Sequence, residues 1–143
     1  MSTMVTTQYE EPPTVSESPI ELPLGLLGFE QFKKYLLVAA PEEHPFMWLQ
    51  MTEAPRHSFL VIPPAEVVPD YQPDLSDEDA AFLGLRQPHD AMVFNIVTLR
   101  NGGPATVNLK GPIILNRRTR VAKQVIPRNA ARFPLQHPLP QVS

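Results

Sequence analysis

The sequence predicts an all-β fold, a small antiparallel β-barrel-like domain of six or seven strands with one short helix at about 76–84. Three observations carry this reading. Apolar and polar residues alternate with a period of two in several runs, most clearly from Ala105 to Asn116. Turn residues separate the runs, and 18 prolines, well above the average usage of about 5%, interrupt long elements. One segment alone carries both a start and a stop signal for a helix. A sheet of this size protects its edges by closing or nearly closing.

The chain has 143 residues, which fits one domain, and a domain of about 150 residues buries roughly 68–70% of its unfolded surface. Absent cysteine excludes a disulfide framework and a thiolate zinc site and suits a reducing compartment. The opening 25 residues hold no Lys or Arg and no apolar run of signal-peptide length. Nothing approaches the roughly 20 apolar residues of a membrane span, so the expected location is cytoplasmic. Charge is divided unevenly. Residues 1–90 carry all 15 acids against four bases, a net −11, whereas residues 91–143 carry eight bases and no acid, a net +8. Either the two halves neutralise each other in the fold or they meet charged partners.

Residues 1–19 are expected to be poorly ordered or to add an edge strand around Thr14–Leu22, because Pro12, Pro13 and Pro19 exclude a central position. Residues 20–127 form the domain, and 128–143 a proline-rich tail. Phe29–Lys34 has the spacing of one or two helical turns, and Tyr35–Ala40 reads as a buried strand. Phe46–Met51 is apolar on both faces, the mark of a central strand, and places Trp48 in the core. Ser58–Ile62 follows. Ser76 then caps a helix whose first turn holds Asp77, Glu78 and Asp79, with a capping-box step to Asp79 and Gly84 at the stop. Ala91–Leu99 folds back through Asn101-Gly102-Gly103-Pro104 onto Ala105–Leu115, which returns through Asn116–Arg120 to Val121–Ile126.

That last hairpin, Thr106-Val107-Asn108-Leu109-Lys110-Gly111-Pro112-Ile113-Ile114-Leu115-Asn116 with Lys123-Gln124-Val125-Ile126, resembles the "NLKAP" hairpin of the flagellar assembly factor FliW family. Leu24–Glu30 is similar to that family's "GLPGFE" segment, Pro45–Gln50 to its "PFxWLQ" strand and Asn95–Thr98 to its "NIVT". The resemblance covers roughly residues 22–126. It implies the same small β-barrel-like fold and a protein that binds flagellin and the RNA-binding translational regulator CsrA, antagonising the latter without cofactor or covalent step. The expected partners include no direct nucleic acid, no membrane and no small-molecule substrate.

The residues on their own point away from catalysis. There is no glycine-rich phosphate loop, no G-x-S-x-G and no H-E-x-x-H, and His44, His57, His89 and His137 sit in proline-flanked or loop contexts without ligand spacing. The alternative function is a small β-barrel RNA-binding module using the basic hairpin at 110–123, with Lys110, Arg117, Arg118, Arg120 and Lys123. Alternation places Asn95, Asn108 and Lys110 away from the main apolar stripe, on a wet or partner-facing surface. Tyr71, beside Asp70, is a residue type that interfaces reuse. If the partner is a cationic RNA-binding protein, the densest negative run available to it is Asp77-Glu78-Asp79, with Asp70 and Asp74 just before.

Overall fold

The computed structural model describes residues 15–139. Over that span the chain runs β1 (Ser16–Glu21), β2 (Lys34–Ala39), β3 (Met47–Met51), β4 (Ser58–Ile62), α1 (Asp77–Leu83), β5 (Ala91–Thr98), β6 (Thr106–Val107), β7 (Ile113–Asn116), β8 (Ala122–Gln124) and β9 (His137–Pro138). The expected N-terminal segment and tail extend past this span, and their residues 1–14 and 140–143 lie outside the described residues. Among the described residues there are nine strands rather than six or seven. One expected strand breaks in two, and a further short one forms at 137–138.

β1 to β5 pair antiparallel in sequence order. Tyr35 lies opposite Ile20 and Met51, Leu37 opposite Leu49, and Val61 opposite Met47 and Ile96. These facing pairs, with Phe94, Ile113 and Leu115, make the main core. β5 then branches. Its first half pairs with β7, Phe94 opposite Ile113, and its second half with β6, Val97 opposite Val107. The tail adds β9 to the free edge of β6.

The expected continuous strand Ala105–Leu115 is therefore corrected: residues 108–112 leave the ladder. Pro112 has no N–H to donate. Asn108 turns its Oδ1 back onto the N–H groups of Lys110 (2.9 Å) and Gly111 (3.0 Å), offering them an acceptor that competes with the sheet. Beyond the break β7 and β8 form the expected hairpin, Leu115 opposite Ala122. Among the described residues the sheet is not closed. Its ends, β1 and β8, approach at one parallel bridge, Glu21 to Val121, where Glu21 N–H donates to the Arg120 carbonyl at 3.0 Å.

α1 follows its capping signals. Ser76 Oγ accepts the Asp79 N–H (3.0 Å), and Gly84 ends the helix at φ +66°. The Asp79 carboxylate turns to Lys123 instead of completing a capping box. The helix seats Leu83 against Ile114 and Val125, and this covers the face of β7 that alternation assigned to water. Hence Ile113, Ile114, Leu115 and Asn116 are all buried. Two further expectations are corrected. Phe29–Lys34 is a pair of hydrogen-bonded turns, Phe29 N–H to Leu26 O (2.7 Å) and Phe32 N–H to Phe29 O (3.1 Å), too short before β2 to nucleate a helix. Trp48 is half-buried on the outer face of β3, while Met47, Leu49 and Met51 fill the core.

Candidate partner-binding site

Asn95 does not lie on a wet surface: it is 0% exposed and takes part in an internal network. Its Nδ2 donates to the Asn108 carbonyl (2.8 Å) and reaches Tyr71 Oη at 3.5 Å, while Tyr71 Oη donates to the Leu109 carbonyl (2.7 Å). The half-buried Tyr71 ring packs edge-on against Phe133, centroids 4.7 Å apart, and burial pushes its hydroxyl pKa above the ordinary value against the opposing Asn95 hydrogen bond. Lys110 Nζ donates to the Ala130 carbonyl at 2.9 Å. Once 108–112 leaves the ladder its carbonyls need donors: Asn95 supplies that of Asn108 and Tyr71 that of Leu109, whereas Lys110 reaches across to the 130 turn. Three of the four residues, Tyr71, Asn108 and Lys110, are part-buried and still reach solvent; Asn95 serves from inside.

The acidic residues divide in the same way. Asp79 is buried and paired with Lys123, whose ammonium also lies 5.2 Å from the Phe82 ring centroid. Asp74 pairs with Arg128 at 3.1 Å. Asp90 pairs with Arg118 at 3.7 Å, and the N–H groups of Arg86 and Gln87 hold its carboxyl below the ordinary carboxylate range, with a smaller contribution from Arg118. Each of these pairs joins an acid from before residue 91 to a base from after it, so the fold brings the two charge halves together. Asp70, Asp77 and Glu78 are exposed, and no ion pair engages them among the described residues.

The basic hairpin is drawn into the same pairing. Lys110, Arg118 and Lys123 are held by Ala130, Asp90 and Asp79 respectively, and Arg118 also donates to the Gly84 carbonyl at 3.1 Å. Among the described residues no group of three His, Cys, Asp or Glu is placed to hold a metal ion, and no helix is long and apolar enough to cross a membrane.

One surface escaped the sequence reading. Leu24, Leu27, Ile126 and Leu135 are exposed together around a single depression. The signal available was the run Leu22-Pro23-Leu24-Gly25-Leu26-Leu27, where the turn buries Leu22 and Leu26 and has no inner seat for the other two. Gly25 fixes that turn: at φ +68°, a Cβ there would lie 2.6 Å from the Glu30 Cα and the Phe29 carbonyl oxygen.

A family model described as FliW protein matches residues 3–139. The flagellar assembly factor FliW of Leptospira biflexa is 41% identical over 116 residues, 80% of this chain and 76% of its own. That of Treponema denticola is 40% identical over 111 residues, 77% of this chain and 75% of its own. A crystal structure of the flagellar assembly factor FliW superposes with a TM-score of 0.76 at 30% identity, covering 86% of each chain.

Proposed function

The chain belongs to the FliW family, and on that premise we propose that it is a cytoplasmic flagellar assembly factor that binds flagellin and antagonises the translational regulator CsrA. The mechanism is partner exchange. When flagellin accumulates it occupies this protein and leaves the regulator free to repress; when flagellin is exported, the vacated protein sequesters the regulator. No covalent step enters, and the proposal assigns the chain no catalysis and no cofactor.

The observation that carries the regulator half is the exposed trio Asp70, Asp77 and Glu78, clustered in the 70–79 segment and left unpaired there after Asp74 and Asp79 are engaged. An RNA-binding protein presents positive surface, which unpaired carboxylates attract over distance. Such steering raises association rates by roughly 10- to 1,000-fold and weakens as salt screens it. The RNA-binding alternative is weakened by the same pairing, because Asp90 and Asp79 offset the charges of Arg118 and Lys123, while Lys110, Arg117 and Arg120 make no ion pair among the described residues.

Stopped-flow association of the protein with purified CsrA at two ionic strengths tests the reading. Glu78→Lys is expected to slow association and flatten its salt dependence, with a smaller effect on flagellin. An unchanged rate and salt slope would reject the acidic segment as the docking element.

A further inference from the structure

Four of the seven large apolar side chains that the described residues expose, Leu24, Leu27, Ile126 and Leu135, line one depression of about 350 Å³. They come from a turn near the start of the described chain and from two positions near its end, and Leu27 is 81% exposed. Scattered exposed leucines are ordinary, but a contiguous patch with a polar rim marks an interaction surface.

The main chain around the depression narrows the occupant. Leu27 N–H donates to Gln124 Oε1 (2.9 Å), Gly28 N–H to Glu30 Oε2 (3.1 Å), and the N–H groups of Lys110 and Gly111 to Asn108 Oδ1. The Gly111 carbonyl accepts from Gln124 Nε2 at 3.2 Å. A strand added to a sheet edge gains its affinity from unpaired main-chain groups, and these are already engaged. The fitting ligand satisfies its own backbone and inserts side chains, as an α-helix does. A second copy of the chain fits poorly, since a stable dimer covers roughly 800 Å² per partner and this depression takes only a few side chains.

Charge narrows it further. The rim holds one carboxylate, Glu30, and one ammonium, Lys110, whose Nζ spends one donor on Ala130 and keeps two. A balanced, aliphatic groove does not complement a cationic RNA-binding surface. Gln124 faces this groove, whereas its strand neighbour Lys123 holds Asp79, so the acidic segment lies on the other side of β8.

We propose that this groove receives the aliphatic face of an amphipathic helix, with apolar residues at i, i+3 and i+4 flanked by a base for Glu30 and an acid for Lys110, and that flagellin supplies it. The assignment rests on the reading that flagellin is a partner. Titration calorimetry with purified flagellin tests it on Leu27→Glu and Ile126→Glu, with Leu99→Glu, equally exposed but outside the groove, as the control. The groove variants should melt like the wild type and bind flagellin about tenfold or more weakly, the loss expected for an apolar anchor, with little salt dependence. The control should bind normally. Hydrogen exchange of the complex should protect a flagellin segment with helical apolar spacing. Wild-type affinity in both groove variants, or a loss confined to CsrA, overturns the groove assignment and leaves the functional reading standing. Wild-type protein that binds neither flagellin nor CsrA overturns the functional reading and this assignment with it.

Discussion

Asn116 Nδ2 donates to the Leu83 and Gly84 carbonyls (2.7 and 3.3 Å), and its Oδ1 accepts the N–H groups of Arg118 and Thr119 (2.8 and 3.2 Å). One buried amide thus ties the end of α1 to the turn between β7 and β8. Removing it strands the buried Leu83 carbonyl, at a cost of about 1–3 kcal/mol, so Asn116→Ala should lower stability in urea denaturation by at least that much. Leu109, almost fully buried, should cost about 2–5 kcal/mol as alanine, whereas Trp48→Ala should cost less because Trp48 keeps one side in solvent. Equal losses for Trp48 and Leu109 would contradict the burial found here. The asparagines were legible in sequence as polar residues in a strand pattern. Their burial was not, because it depends on carbonyls that become available only after 108–112 leaves the sheet and α1 covers β7.

At the scale of elements, α1 was readable to within a residue since capping is local: Ser76 and Gly84 act within their own turns, and Asp77 and Glu78 lie at the positive end of the helix. Ser76→Ala should cost about 1 kcal/mol, checked by thermal or urea unfolding. The break at 108–112 was hidden because alternation continues through it, and only the hydrogen-bond competition from Asn108 reveals it. Asp90, in the turn before β5, sets a pH dependence. Its folded carboxyl pKa lies below the ordinary value, so its contribution is complete above the ordinary carboxylate range and is lost as pH falls through that range toward the folded value. The Asp90→Asn variant should therefore show a shallower acid limb in a stability-versus-pH series than the wild type; coincident curves would contradict the shift.

For the whole molecule, the two charge halves are pulled together by Asp74–Arg128, Asp79–Lys123 and Asp90–Arg118. The sum of charges pointed to that pairing without naming the pairs, which depend on how α1 lies across the hairpin. The candidate surface was legible only in part: Asp70, Asp77 and Glu78 remain exposed, Asn95 and Asp79 turn inward, and the leucine groove arises from segments that tertiary folding alone brings together. Partner exchange is the central claim, and displacement measures it directly. Fluorescently labelled CsrA is mixed with the protein, and purified flagellin is then titrated while anisotropy is recorded. The account predicts a raised anisotropy that falls back to the free value as flagellin is added. Anisotropy that never rises on adding the protein, or that stays high at saturating flagellin, would contradict it.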